Sequence, residues 1–402
     1  MSSLLAERPA HVPDAHVADI DIYAPPGLAD DYHAAWAALQ RDHPPLVWTP
    51  RNEGHWIALS GEVMAEVQAD WQRFSNRVIV LPKSVGEMHQ LIPTTIDPPA
   101  HRPYRVLLND NLKPSAVRGI HDHIRTVAVE LIEAVRADGR CDFTHHYASA
   151  FPIRIFLALV DLPASDAERL RLWAESMTRP EPEMPFEEAR AAFFDYLDPV
   201  IRARRAAPGH DMLSNMLHAE MDGRMLTHDE ALALATQVLI AGMDTVVNFL
   251  SFAMLALARD PGLRAAVRSH PRGTMAVTNE FFRRFGLVTI AREVVSDMEF
   301  HGVPLRAGEM VAIPTVVHGI DPAANPDPMR IDVNRTRARH STFGNGPHQC
   351  PGQELARAEV AITVEEWLDR IGDFAVAPDS DLTNRTGIVG NITRLCLEWE
   401  PR

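Results

Sequence analysis

Lysine is nearly missing from this chain of 402 residues: only Lys83 and Lys113 occur, so its positive charge is almost all arginine. Acids outnumber the bases, and the formal net charge is −15. That excludes a nonspecific nucleic-acid binder, whose affinity rests on neutralising phosphates. Cysteine is also scarce. Cys141, Cys350 and Cys396 have no paired spacing, which excludes a disulfide framework and points to a reducing cytoplasm. No Gly-x-Gly-x-x-Gly follows a strand-like run, and there is no four-cysteine cluster, so flavin and iron–sulfur motifs are absent. The first 22 residues are polar, acidic and proline-containing, without the basic-then-apolar order of a secretory signal. No linker or repeat splits the chain, and its 46% hydrophobic content supports a large core. We expect a single unit over residues 1–402, with 1–20 a loosely ordered N-terminal segment.

Long hydrophobic runs are few. One membrane-like stretch covers Ala231 to Ala258, and its only charge is Asp244. It is long enough to span a bilayer. A central acid costs roughly 2.5–3.5 kcal/mol on insertion scales, and Gln237, Thr245, Asn248 and Ser251 add to that. A long helix buried inside a large protein fits better, so no membrane is expected. Thr227-His-Asp-Glu230 is a capping box that opens this helix. Further helices are expected at Asp30–Arg41, Ser115–Ala137, Glu187–Arg205 and from Ser165 to about Arg179, where the proline run Pro180 to Pro185 stops the chain. Short strands are expected at Leu46–Trp48, Trp56–Leu59, Ala291–Val295, Met310–Pro314 and Leu395–Trp399. The fold class is therefore mainly α with a smaller β region, without regular βαβ alternation.

What is present is concentrated in three places. The first is Phe343-Gly-Asn-Gly-Pro-His348-Gln-Cys350-Pro-Gly352, followed by a helix-forming run. A cysteine in a glycine-rich turn before a helix is set up as a thiolate, because the helix N-terminus favours the ionised sulfur. Gly344, Gly346 and Gly352 allow tight turns and leave room beside a flat cofactor. This chemistry suits cysteine-ligated haem, where the thiolate pushes electron density toward O–O cleavage. A lone cysteine is more often a buried structural residue; the spacing Phe-x-x-Gly-x-x-x-Cys-x-Gly reverses those odds. The second place is Ala241-Gly242-Met243-Asp244-Thr245, in the middle of the apolar helix. A mid-helix Gly and a Thr that bonds a backbone carbonyl can open a widened turn. An acid beside a hydroxyl can also relay protons. The bland alternative is a kinked core helix. The third is Glu280-Phe-Phe-Arg283, a pair on one helical face that is usually a surface ion pair.

Taken together and in this order, the motifs resemble the cytochrome P-450 superfamily. The similarity extends from about residue 20 to 400 and is closest to the soluble bacterial camphor-hydroxylating class. It is carried also by Ile92-Pro-Thr-Thr-Ile-Asp-Pro-Pro99, Phe151-Pro-Ile-Arg-Ile-Phe156, Asp244-Thr-Val-Val-Asn-Phe-Leu-Ser251, Arg283-Arg-Phe-Gly-Leu-Val288 and Glu366-Trp-Leu-Asp-Arg-Ile371. The resemblance implies a helix-rich triangular prism with haem b between two helices. It implies Cys350 as the iron ligand, with Phe343, Gly344 and Gly352 shaping its loop. Gly242, Asp244 and Thr245 would form the oxygen-activation motif. Arg105, Arg292 and His348 would bind the haem propionates. Glu280, Arg283 and Arg335 would be a structural lock. The substrate pocket implied by position is His89, Val80, Gln237, Ile240, Val247, Thr289 and Ile388.

Two departures stand out. Ile290 replaces an acidic residue of the camphor class near a propionate. His89 replaces the tyrosine that holds camphor's ketone, while Val80 replaces a phenylalanine and opens space. The resemblance implies a monooxygenase that hydroxylates a small apolar terpenoid or norisoprenoid, camphor-like or ionone-like, with O2. Its electrons would come from a two-iron ferredoxin and a ferredoxin reductase. Arg330, Arg335, Arg337 and Arg339 crowd just before the cysteine loop; Arg335 is accounted for by Glu280, and the rest, with Arg102 and Arg105, are candidates to dock that acidic partner. The alternative is a thiolate-haem sensor or isomerase without monooxygenase chemistry; the Asp244–Thr245 pair favours the enzyme.

Overall fold

The computed structural model describes residues 5–178 and 183–401 of the chain, so Arg179 and Pro180 to Pro182 lie outside the described residues. The apolar run forms one helix, His228–Arg259, opened by the capping box: Thr227 Oγ1 accepts from Glu230 N at 3.2 Å, and Glu230 Oε2 accepts from Thr227 N at 2.7 Å. It is long and apolar enough to cross a membrane, yet most of that stretch is buried inside the protein. Helices Ala150–Leu159, Ala167–Thr178, Phe186–Ala206 and Gln353–Arg370 pack around it. This central helix is the spine on which the rest is arranged.

The β region is small. The largest sheet has the order Leu46–Thr49, His55–Ala58, Met310–Pro314, Thr289–Val294, Phe74–Ser75. Its second and third strands pair in parallel and the other neighbours are antiparallel. A three-stranded sheet joins Arg140–Asp142, Cys396–Trp399 and Phe374–Val376. All strand positions read from the sequence are strands, with ends shifted by a residue or two.

Three expectations are corrected. The stretch 115–137 is two helices, Pro114–Gly119 and His121–Arg136, because the chain leaves helical geometry at Ile120 (φ −109°, ψ 4°) just after the poor helix former Gly119. Residues 5–20 are not loosely held. Val12 and Ile20 are buried, Val17 bridges Trp48, and Ala18 N donates to Trp48 O at 2.9 Å, so this segment edges the sheet. The central helix shows no widened turn at Gly242–Thr245. Thr245 Oγ1 donates to Ala241 O at 3.3 Å within an unbroken α-helix; a widened, π-type turn occurs instead at Thr144–Ser149.

Candidate active site

The cysteine loop is held by its own backbone. Cys350 N donates to Phe343 O at 2.6 Å and Gly344 N to Ser341 O at 2.9 Å. Gly344 and Gly346 sit at φ 76° and 70°, where L side chains are strained, and a Cβ on Gly346 would lie 2.9 Å from Ala69 backbone. Gly352 caps the helix Gln353–Arg370. Burial pushes the Cys350 thiol up; the Gly352 N–H and the cations of Arg105 and Arg357 pull it down. Arg357 in turn lies over the Phe343 ring, 4.6 Å from its centroid. Cys350 itself is half-buried and lies deep in the protein.

Near Cys350, Arg105 and Arg292 have no carboxylate partner among the described residues. Arg292 is buried, its Nη1 donates only to Ala291 O, and its Nε has no partner. Burial lowers it to about 10. His348 Nε2 also has no partner, and burial together with His101, Arg292 and Arg105 lowers it to about 2. Arg105 donates to Asn109 Oδ1 at 2.8 Å and to Gln349 O. The carboxylate that acts on His101 and Arg292 is Asp97, which is engaged by Ser75 Oγ and Asn76 N. Two arginines without a carboxylate and an imidazole nitrogen without a partner, beside a deep thiol, fit a cofactor that carries two carboxylates and an iron, which is haem. Cys350 would hold its iron, and Arg105, Arg292 and His348 its propionates. Ile290 pairs Ile313 across the sheet and has no polar group to add. Sequence reasoning missed His101. Its ring lies 4.2 Å from that of His348, and its spacing of four from Arg105 on helix His101–Leu112 was a usable signal.

On the central helix, Ala241 is exposed and Thr245 partly so, in a helix otherwise largely buried; both lie on one face with half-buried Gln237. Asp244 is buried and points elsewhere. Its Oδ1 accepts from Asn248 Nδ2 at 2.8 Å, and its Oδ2 from Thr178 Oγ1 at 3.4 Å. Gly242 has a packing reason: a Cβ there would lie 2.7 Å from Cε2 and Cγ of Phe156 and nearer still to Cδ2.

Four of the positions expected to line a substrate pocket, Ile388, Thr289, Val80 and His89, are linked through neighbouring backbone. Thr178 O accepts from Ile388 N at 3.2 Å, and Ile388 O accepts from Thr289 N at 2.9 Å. Two residues on, Ala291 N donates to Ile79 O, next to Val80. A Cβ on Gly86 would collide with Val80 O, and His89 N donates to Gly86 O. His89 is buried and stacked flat on Phe186, centroids 3.8 Å apart at 11°. Burial lowers its imidazole to about 4 against the opposing charge of Glu187, so it is neutral near pH 7. Ile240 and Val247 are buried on the central helix, and Gln237 Oε1 is buried without a partner. Thr178, Phe186 and Phe156, which no local motif announces, complete this region.

The ion pair is not a surface pair. Arg283 is fully buried and donates to both oxygens of Glu280 at 2.8 Å, and to the carbonyls of Gly319, Pro328 and Arg330. Arg335 Nε reaches Glu280 Oε2 at 3.1 Å, and Asp332 N donates to Glu280 Oε1 at 2.9 Å. The three residues therefore brace the chain that leads into the cysteine loop.

Known proteins agree with this geometry. The family model described as Cytochrome P-450 matches residues 173–270 and 273–384. Probable cytochrome P-450 127A1 of Sinorhizobium fredii (strain NBRC 101917 / NGR234) is 32% identical over 400 residues, covering 97% of this chain and 96% of that protein. The crystal structure of CYP101J2 is 45% identical with a TM-score of 0.91, covering 98% of this chain and 100% of that one. That of CYP101C1 is 38% identical, again with a TM-score of 0.91 and the same coverage. The chain belongs to the cytochrome P-450 family, close to the CYP101 class, and is a haem b monooxygenase that uses O2 and a redox partner.

Proposed function

We propose that this enzyme hydroxylates a cyclic apolar ketone of the terpenoid or norisoprenoid class, larger or longer than camphor, in the cytoplasm, with electrons from an acidic two-iron ferredoxin and its reductase. The observation that carries the substrate reading is His89 stacked on Phe186. A neutral ring pinned face to face offers apolar surface and has a shorter reach for a ketone than a tyrosine hydroxyl. Losing or misaiming one hydrogen bond costs on the order of 1 kcal/mol. Each further buried CH2 returns about 0.8 kcal/mol, so added hydrocarbon more than compensates.

Haem b, held through Cys350, supplies the dioxygen and one-electron chemistry. Thr245 presents its hydroxyl on the open face of the central helix while back-bonded to Ala241 O. Asp244 holds a proton-transfer position one residue away. Delivery to Thr245 requires the carboxyl to turn from its described bonds to Asn248, at 2.8 Å, and Thr178, at 3.4 Å. Arg102, Arg330, Arg337 and Arg339 are exposed and have no carboxylate partner among the described residues, whereas Arg335 is taken by Glu280. Arg339 and Arg357 also line a hollow of about 380 Å³ against Phe343, Gly344 and Gln349 of the cysteine loop. On a chain of net charge −15, this basic rim suits an acidic electron donor.

The test is a side-by-side spin-shift titration with camphor and β-ionone. We expect β-ionone to bind more tightly and with the fuller shift. Tight camphor binding beside a flat ionone titration refutes the substrate reading.

A further inference from the structure

A second hollow lies away from the haem side. It has a volume of about 560 Å³ and sits against the C-terminal part of the central helix, from Phe252 to Arg259. Those residues are seven to fourteen positions beyond Thr245, or roughly 10–21 Å along the axis at about 1.5 Å per residue. Part of its lining is apolar, with Phe252, Leu255, Leu263, Phe285 and Ile331, and the larger share of the lining surface is polar or charged. Two side chains that line it each have one buried nitrogen without a hydrogen-bond partner among the described residues. His33 is 2% exposed and its Nε2 has no hydrogen-bond partner. Arg284 donates through Nε to Met329 O at 2.9 Å, but its buried Nη1 donates to nothing. Such groups are costly when left alone.

The charges on the rim are unevenly committed. Asp30, Asp31, Asp260 and Asp332 line the hollow; Asp30 is exposed to solvent, and the other three accept nearby backbone N–H groups: His33 and Ala34, Leu263, and Asn334 respectively. The arginines Arg259, Arg284 and Arg330 have no carboxylate partner among the described residues. Burial also lowers Arg284 to about 10, against the favourable charges of Asp31 and Glu280, so an added anion would relieve it. The ring of Phe285 lies 5.1 Å from Arg284 Cζ and 5.2 Å from the His33 ring, which holds both polar groups at one end.

We propose that this hollow is a second small-molecule site, separate from the haem pocket, for a monocarboxylate with an apolar body. The carboxylate takes Arg284 Nη1, the free His33 nitrogen accepts from a water that bridges to the head group, and the hydrocarbon lies against Phe252 and Leu255. The volume is ordinary for such a ligand. The site also touches the lock behind the haem. Arg330 O accepts from Arg283, and Asp332 N donates to Glu280, so an occupant bears on the chain that braces the cysteine loop.

The experiment titrates octanoate, and 1-octanol as its uncharged counterpart, into haem-loaded enzyme by calorimetry, with saturating imidazole to block the haem pocket and the Soret band followed in parallel. We expect one octanoate site without Soret change, with octanol at least ten-fold weaker. Arg284→Gln should weaken octanoate ten-fold or more, and Arg284→Lys should retain most of the binding. Ala256→Trp, which fills the hollow and leaves the arginine in place, should abolish it, and it carries the test if Arg284→Gln does not fold. No heat of binding, octanol as tight as octanoate, or octanoate affinity unchanged by Ala256→Trp each overturns the proposal.

Discussion

Replacing Gly242 by alanine separates a packing role from a chemical one. The new methyl would sit 2.7 Å from Cγ and Cε2 of Phe156. Cγ is the root of the ring, so a ring flip gives no relief, and Phe156 is itself buried. Either the helix Ala150–Leu159 or the central helix must shift, an overpacking cost of about 1–3 kcal/mol. Against this, alanine recovers up to about 1 kcal/mol of helix propensity over glycine. The net expectation is a loss of about 0–2 kcal/mol. Phe156→Leu removes the obstructing ring, at its own cost in buried area. In the double variant the clash is gone, so the two losses should fail to add by about 1–2 kcal/mol in the stabilising direction. The assay is urea unfolding of all four proteins of the cycle, followed by far-ultraviolet circular dichroism, with product formed per NADH consumed as a second readout. If packing is the whole role of Gly242, the double variant recovers the coupling efficiency of Phe156→Leu. Losses that add within about 0.5 kcal/mol, or a Gly242→Ala enzyme as stable as the parent but uncoupled, refute the reasoning.

Thr245→Ala should bind substrate and consume NADH normally while product per NADH falls and peroxide rises; fully coupled turnover would remove Thr245 from proton delivery. Arg339→Glu should raise the KM for the ferredoxin and flatten the salt dependence that the parent shows, since one exposed, unpaired cation is reversed; unchanged kinetics at every ionic strength would show that this face does not dock the donor. Glu359 gives a stability test whose sign is set by burial. It lies 2% exposed on the helix after Cys350, and burial raises its carboxyl well above the ordinary 4.5. Below that ordinary value both folded and unfolded chains hold the proton, so nothing is lost. As pH rises, the unfolded chain ionises first, and stability falls by up to about 1.4 kcal/mol per pH unit until the folded carboxyl also ionises. Glu359→Gln abolishes this slope, so its stabilisation over the parent should grow from mildly acidic to mildly alkaline pH; a gain that shrinks over that range counts against a protonated Glu359.

The features read correctly from the sequence are those whose cause lies within a few residues. The turn before Cys350 depends on glycines at φ 76° and 70°, and the central helix opens with a box that spans four residues. Glu280 and Arg283 are three apart, so their pairing was visible, but their burial was not, because it depends on the carbonyls of Gly319, Pro328 and Arg330 arriving from elsewhere. Gly242 illustrates the limit. Within its own window it suggests a loosened helix, yet the turn stays α-helical and the glycine answers to Phe156, 86 positions earlier in the chain. Asp244 does the same. Beside Thr245 it suggests a pair that shares a proton, but adjacent residues on a helix point about 100° apart, and the carboxyl is drawn to Thr178 and Asn248. Thr178 also holds Ile388, which holds Thr289, so the acid is tied through one hydroxyl residue to the proposed pocket wall. On the proposed function, a substrate that presses on Ile388 acts on a residue bonded to Asp244. That coupling is fixed by which helix and which turn meet at Thr178, a tertiary fact that no stretch of sequence around the acid contains.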